Sequence, residues 1–337
     1  MNNDIIVARQ VKLLMAALRK VVAPGERYSL VDFPDHSNVG DSAIWLGGVK
    51  ALKEVTGRRP SYVASKSTYD ASRLAKSHPD GPIFIHGGGN FGDLYPEHQQ
   101  LRIDLMRDFP KRRIIQLPQS LSFSDEAVVA RTAKAIKEHE NFYLFVRDSD
   151  SKLFAERHFD CPVEQAPDCA LALESLLSDR VPTDHFIFLR RTDKETSGAD
   201  YSGLEVLKAP EYDWLVEPKM PVRVRLLAKV ARVTGSDFVR FAHFNLKASV
   251  RVKRGVDLLS SGEAVITDRL HGYIMSVLLR RPVVAMDNST KKVSAYHNLW
   301  MSDADSAAVV TNTNAALDAL ITVRMCQVRT AISGWGA

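Results

Sequence analysis

Residues 113–159 read RIIQLPQSLSFSDEAVVARTAKAIKEHENFYLFVRDSDSKLFAERHF, and their rhythm decides the fold class. A short apolar run, Arg113–Leu117, gives way to a stretch of helical period, Asp125–His139. A second apolar run, Phe142–Val146, is followed by another helical stretch at Ser151–Phe159. Short continuous apolar runs mark buried strands, whereas apolar residues recurring every three or four positions mark helices. The same alternation extends upstream, with strands at Tyr28–Phe33 and Ile83–His86 and helices at Ala43–Val55 and Glu97–Phe109. Downstream it resumes with a strand at Phe186–Leu189, a helix near Ala248–Leu259, a strand at Ala264–Thr267, a helix from Gly272 and a strand at Pro282–Met286. Residues 1–24 read as an N-terminal helix and Val206–Pro221 as an irregular insertion. Strands alternating with helices predict an α/β protein whose parallel sheets carry helices on both faces. The charged, Ser- and Pro-bearing stretch Leu173–His185 places a boundary, giving an N-terminal domain 1–180 and a C-terminal domain 181–337. Two doubly wound domains facing each other across a cleft are the expected architecture.

The 337 residues suffice for two domains, and 45% apolar with 25% charged side chains exclude a disordered or coiled-coil chain. No apolar run reaches the roughly 18 residues of a membrane span, and the N-terminus lacks a signal-peptide pattern, so a cytoplasmic location is expected. Cys161, Cys169 and Cys326 are few and odd in number, without a C-x-x-C, and read as reduced, packed thiols. The spacing of Cys and His provides no metal site. The net charge of +5 is unevenly spread: residues 219–254 hold ten Lys/Arg against the single acid Asp237. Within that segment Val222–Val233 mixes Val and Leu with Arg223, Arg225, Lys229 and Arg232 at near-helical spacing. Such a stretch can lie on an anionic membrane or attract a phosphorylated substrate; a plain solvated face is the competing explanation. A basic patch without a recognised nucleic-acid module does not argue for nucleic acid.

Four strand-end segments are chemically unusual, and ligands of open α/β sheets bind beyond the carboxyl ends of strands. In Asp35–Ser42, Gly40 permits a tight turn and Asp41 or Ser42 can cap the next helix; Asn38 and Asp41 can alternatively hold sugar hydroxyls. In His86–Asn90, the run Gly87, Gly88, Gly89 exposes backbone amides to a close ligand, an anion for choice, beside Asn90. At Val146–Ser151, Arg147 stands at a strand end, where its planar fork suits a carboxylate or phosphate; a surface salt bridge explains it equally well. The most informative segment is Thr267–Gly272. There Asp268, Arg269, Leu270 and His271 lie between a buried-looking strand and a helix, with Arg269 and His271 facing one side of an extended turn and Gly272 turning the chain. The helix dipole disfavours an imidazolium at His271, while Asp268 favours it. His36, His78, His98, His139, His158, His185, His243 and His297 lack such company and read as structural or exposed.

The N-V-G-D of Asn38–Asp41, the H-G-G-G-N of His86–Asn90 and the R-D-x-x-S of Arg147–Ser151 occur in order. Pro167-Asp168, the D-R-L-H-G of Asp268–Gly272 and the P-V-V-A-M-D-N of Pro282–Asn288 follow, with Lys292 after them. Together they resemble the polysaccharide pyruvyl transferase family, over residues from about 28 to 300. The resemblance implies a GT-B-like pair of Rossmann-like domains with the active site between them. It implies transfer of pyruvate from phosphoenolpyruvate onto two hydroxyls of a sugar in an exopolysaccharide or cell-surface glycan precursor, giving a cyclic ketal and phosphate. By matching position, His271 is the general acid/base, Arg269 and Arg147 hold the donor's carboxylate and phosphate, and the loop 86–90 lines the cleft. Asn38, Gly40, Asp41, Asp268, Leu270 and Lys292 complete the substrate-binding set. No cofactor beyond the donor substrate is implied. The acceptor can be a lipid-pyrophosphate-linked oligosaccharide, with the basic segment 219–254 docking the enzyme peripherally at the inner membrane face. A GT-B nucleotide-sugar glycosyltransferase is the main alternative, and it usually carries paired glutamates in the C-terminal domain, whereas beyond Glu217 this chain has only Glu263. A dehydrogenase would need the spaced glycine fingerprint, and a membrane-surface binding protein would leave Arg269 and His271 without a purpose.

Overall fold

The computed structural model describes residues 2–192, 196, 201–287 and 291–333, with side chains to residue 324. It is a mixed α/β structure with two parallel sheets, each in its own compact unit. The N-terminal unit comprises Val11–Ala172 and Glu217–Arg251; the C-terminal unit comprises Met1–Gln10, Leu173–Val216 and Val252–Ala337.

In the N-terminal unit the strands are β1 (Ser29–Val31), β2 (Tyr62–Ala64), β3 (Ile83–Ile85), β4 (Gly88–Gly92), β5 (Ile114–Ser122), β6 (Phe142–Val146) and β7 (Val163–Gln165). They are ordered β2-β1-β3-β5-β6-β7, all parallel, and β4 pairs with the distal half of β5. The helices between them are α2 (Val39–Thr56), α3 (Ala71–Ser77), α4 (Pro96–Asp108), α5 (Glu126–His139) and α6 (Ser149–His158), following α1 (Asn3–Arg19). Their ends are set locally. Asn38 caps α2 by accepting from the Gly40 amide at 3.0 Å, and Gly57, at φ 70°, closes it by donating its backbone N–H to the Lys53 carbonyl. Asp125 and Asp148 cap α5 and α6 in the same way. Val31, Ile83, Ile85, Ile114, Leu144 and Val146 form one apolar sheet face under Leu101, Leu105 and Ile136 of α4 and α5.

In the C-terminal unit β8 (Asp184–Leu189), β9 (Glu211–Tyr212), β10 (Gly262–Thr267), β11 (Val283–Met286) and β12 (Ala307–Val310) are ordered β12-β11-β10-β8-β9, again all parallel. The remaining helices in chain order are α7 (Val222–Thr234) and α8 (Asp237–Leu259), of which residues 222–251 belong to the N-terminal unit, then α9 (Leu270–Leu278), α10 (Lys292–Tyr296) and α11 (Thr313–Ser333) of the C-terminal unit. The runs AVIT and VVAM show no alternation because the sheet is covered on both sides. Ala264, Ile266, Val284 and Met286 face Ala316, Leu320 and Val323 of α11, and their neighbours are buried as well.

The division into units differs from a single cut at residue 180. It falls after Ala172, returns to the N-terminal unit for 217–251, and assigns the first ten residues to the C-terminal unit. Side-chain packing is the cause. Phe244 of α8 stacks on Phe33 at 4.1 Å, the Trp45 indole donates to Asn245 at 2.8 Å, and Arg251 reaches Glu217 and the Pro34 carbonyl. Gln10 donates to the Trp300 carbonyl at 2.6 Å. No helix among the described residues is long and apolar enough to cross a membrane.

Candidate active site

Both sheets have the same doubly wound order. Numbering each sheet's strands along the chain, and counting β3 and β4 as one interrupted strand, the C-terminal sheet runs 2-1-3-4-5 and the N-terminal sheet adds a sixth strand to the same order, 2-1-3-4-5-6. The direction of winding therefore reverses between β1 and β3 in one unit and between β8 and β10 in the other. At such a reversal the loops beyond the strand ends diverge and leave room for a ligand. The unusual strand-end segments fall largely at these two points: residues 32–41 and 86–90 follow β1 and β3, and residues 268–271 follow β10.

In the C-terminal unit Asp268 is fully buried. Its carboxylate accepts the Arg191 amide at 2.7 Å and the Tyr201 hydroxyl at 3.2 Å. Burial pushes its pKa up, against these hydrogen bonds and the charge of Arg269. Arg269 is the extended residue before α9, with its amide donating to Thr267 Oγ1 at 3.0 Å. Its guanidinium, 3% exposed, pairs with Asp213 at 2.6 Å and lies 6.0 Å from the Trp214 ring. Asp213 also accepts the Thr192 amide at 3.0 Å, so one carboxylate ties the loop after β8 to the loop after β10. Leu270 is buried and His271, half-buried, is the second residue of α9.

Two expectations change here. His271 is helical while Arg269 is extended, so strand alternation does not place them on one side. Gly272 lies inside the helix rather than at a turn. A Cβ there would meet Thr267 Oγ1 at 2.5 Å and Leu189 Cδ2 at 2.9 Å, so glycine serves the close approach of α9 to the sheet. Lys292 is buried at the start of α10, where Asp287 accepts the Val293 amide at 3.2 Å. Asn288 lies outside the described residues.

In the N-terminal unit the glycine run is not an open loop. Gly88–Gly92 forms β4 along the same strand β5 that pairs with β3, so the run bridges two halves of one interrupted strand. A Cβ at Gly87 would sit 2.5 Å from the Pro118 carbonyl oxygen, and Gly88 has φ 122°. Gly87 thus accommodates the protein's own backbone, and Gly88 supplies a positive φ that other residues rarely adopt. The Asn90 side chain is engaged internally: its amide donates to Asp32 at 3.2 Å and its oxygen accepts Gln119 at 2.6 Å and Arg102. Asn38 takes the capping role expected of Asp41 or Ser42; Gly40 lies in the first turn of α2, and Asp41 stands there 3.5 Å from His36.

Arg147 closes β6 with its guanidinium 3% exposed, paired to the fully buried Asp168 and donating to Ser120 Oγ at 2.9 Å. Of the two open readings for this residue, an ion pair is what forms, but in the interior rather than at the surface.

A buried polar network centred on Asp32 was not legible beforehand. Asp32 follows β1 in the left-handed region, φ 68°, and is fully buried. His98 Nδ1 lies 2.7 Å from its carboxylate, and Arg102 joins through Asn90 and Gln116. Burial acts to raise the Asp32 pKa, but the His98 hydrogen bond and the charges of His98, Arg102 and His86 outweigh it and hold the group below the usual carboxylate range. Burial also lowers Arg102 to about 10, with Asp32 opposing it. His86 is pushed down to about 4 by burial, against the charges of Asp41 and Asp32, and is neutral at neutral pH. His98 and Arg102, four apart on α4, carried the one available signal, a shared helix face. Tyr201 and Asp213 fall in a segment without a motif.

The polysaccharide pyruvyl transferase family model matches residues 38–290, three quarters of the chain. The chain belongs to the polysaccharide pyruvyl transferase family. It is accordingly an enzyme, a polysaccharide pyruvyl transferase. "Pyruvyl transferase 1" of Schizosaccharomyces pombe is 31% identical over 309 residues, covering 88% of this chain and 75% of that protein. "Putative pyruvyl transferase EpsO" of Bacillus subtilis is 28% identical over 305 residues, covering 89% and 93%. An uncharacterised Klebsiella pneumoniae protein of known crystal structure shares the fold, with TM-score 0.60 at 16% identity, covering 90% of this chain and 98% of that one. In this pyruvyl transferase the matched region opens at the α2 cap Asn38 and takes in both switch points and Arg147, while Lys292 lies just beyond it.

Proposed function

We propose that the enzyme transfers pyruvate from phosphoenolpyruvate onto two hydroxyls of a sugar in an exopolysaccharide or cell-surface glycan precursor, forming a cyclic ketal and inorganic phosphate. The observation that carries it is the Asp268, Arg269, His271 constellation at the switch point of the C-terminal sheet, in a chain of this family. His271 is the general acid/base. A proton is added to C3 of the enol phosphate, generating a cationic centre at C2 that the first sugar hydroxyl attacks, losing its proton. Phosphate then leaves C2 with its bonding electron pair, and the second hydroxyl closes the ring and releases the second proton. One proton stays on the new methyl group and the other leaves with phosphate.

Arg269 holds the donor's anionic groups. Its fork is already oriented by Asp213, so little reorganisation accompanies binding. Arg147 acts as a positioning residue, because its charge is taken up by Asp168 in a sealed pair. Segments 38–41 and 86–90 serve the acceptor through Asp41 and backbone groups, since the Asn38 and Asn90 side chains are engaged internally. Lys292 adds positive charge beside Asp287 in the C-terminal unit. The GT-B-like arrangement with its active site between two Rossmann-like domains, a lipid-linked acceptor and a cytoplasmic location belong to the same proposal.

The test is incubation of purified enzyme with phosphoenolpyruvate or UDP-sugars and candidate glycan acceptors. Phosphate release matched by an acceptor mass gain of one pyruvate ketal is expected. Turnover confined to UDP-sugars would instead establish a glycosyltransferase.

A further inference from the structure

The segment Val222–Thr234, VRVRLLAKVARVT, forms the regular helix α7, closed by Gly235 at φ 63°. Its buried contacts come from Val224 and Ala231. At about 100° per residue these two lie on one side of the helix. Val222, Leu226, Val230 and Val233, at offsets of 0, 4, 8 and 11 residues, share an arc of about 80° on the opposite side. All four are exposed, at 69, 59, 39 and 86%. Four large aliphatic side chains lined up in water are not the single scattered apolar residues of an ordinary surface.

The charges are arranged around that stripe. Arg223 borders one edge, Lys229 the other, and Arg225 and Arg232 lie just beyond Lys229, all of them exposed; α7 contains no acidic residue. Lys219, just before α7, is exposed as well; the other five cations of the basic segment behave differently. Lys247 pairs with Asp35, Arg251 with Glu217, Arg240 with Asp237 and Lys253 with Asp257, and Arg254 donates to the Trp214 carbonyl. Four of the six exposed cations of the segment, Lys219 and Lys253 being the other two, therefore lie on the element that carries the apolar stripe.

We infer that α7 is an in-plane docking helix for an anionic lipid bilayer, its aliphatic stripe set into the acyl boundary and its four cations on the headgroup phosphates. An apolar ridge flanked on both sides by cations matches the layered polarity of such a surface: hydrocarbon below, negative charge at the level of the flanks. A second copy of this chain would bring four like charges against four. The inference rests on α7 alone and stands whether or not phosphoenolpyruvate is the donor.

Co-sedimentation of the full chain with phosphatidylcholine vesicles, with and without phosphatidylglycerol, tests it. Pelleting is expected with the anionic vesicles only, and weaker at high salt. Replacing Arg223, Arg225, Lys229 and Arg232 by Gln should cut the partition coefficient at least about tenfold, and so should Leu226→Ser with Val230→Ser, which leaves the charge unchanged. All six positions are exposed, and an unchanged thermal midpoint verifies the fold of each variant. Failure of the wild-type chain to pellet, equal pelleting of either variant, or equal binding to uncharged vesicles overturns the inference. A dimer by light scattering that the serine variant dissociates, without vesicle binding, would assign the stripe to a second copy.

Discussion

At the residue scale the two arginines of the motif set separate. Arg147 and Asp168 form a pair sealed from solvent, at 3% and 0% exposure, whereas Arg269 pairs with the slightly exposed Asp213 one residue from buried Leu270 and two from half-buried His271. Removing one partner of a buried pair leaves an uncompensated charge, at a cost of about 3–5 kcal/mol. Arg147→Ala should therefore lower the unfolding free energy measured in urea by that order. Arg269→Lys keeps a charge but not the fork, and should lower turnover at least about a hundredfold with a smaller stability loss. His271→Ala should lower kcat by about 10²–10⁴ while the thermal midpoint holds, since only a half-buried ring is removed; wild-type turnover in that variant would end its assignment as acid/base. Arg269 and His271 stand out in sequence because charged residues directly follow an apolar strand. Asp213, Tyr201 and the pairing of Asp32 with His98 do not, because each depends on segments tens of residues apart meeting at a strand end.

At the element scale the glycine run shows what composition conveys and what it conceals. Three consecutive glycines imply a close backbone approach, and one exists, but the approaching group at Gly87 is the Pro118 carbonyl. Gly87→Ala should destabilise the protein by about 1–3 kcal/mol, read from chemical denaturation, because a backbone oxygen cannot move aside as a flexible side chain can. A neutral effect would mean that this crossing is looser than the structure has it. Helix and strand cores were legible from period alone, and α5, β6 and α6 lie within two residues of the expected positions. The apolar run marks β5 only to Leu117; the strand continues to Ser122 through a register shift at Pro118, which cannot donate to the ladder. The short strands β2, β7 and β12, three or four residues each, carry too few side chains for a period to show.

At the scale of the whole molecule, mixed α/β architecture with parallel sheets followed from alternation, and each sheet's switch point drew the unusual segments to one end of its strands. The interleaved units did not follow, because α8 packs on residues some two hundred positions away in sequence. Global stability carries a pH signature. Burial first, against Asp41 and Asp32, pushes His86 from 6.5 to about 4, and burial first, with Arg112, does the same to His78. A histidine with a depressed native pKa binds fewer protons folded than unfolded between these values. Its contribution is thus complete above about pH 6.5 and lost as the pH falls towards 4, up to about 3 kcal/mol for the fully buried His86. Urea midpoints at pH 7.5 and 4.5 should differ in that sense, and His86→Gln should narrow the difference; an unchanged difference would mean that His86 titrates normally.

The central claim is that the enol carbon of the donor is protonated on its way to a ketal. Running the transfer in D₂O and reading the acceptor product by mass spectrometry addresses it directly. One solvent deuterium per pyruvate ketal, carried in its methyl group and accompanied by one phosphate released, is the predicted result. An acceptor that gains phosphate or a sugar in place of pyruvate, or a ketal whose methyl group carries no deuterium, would contradict it.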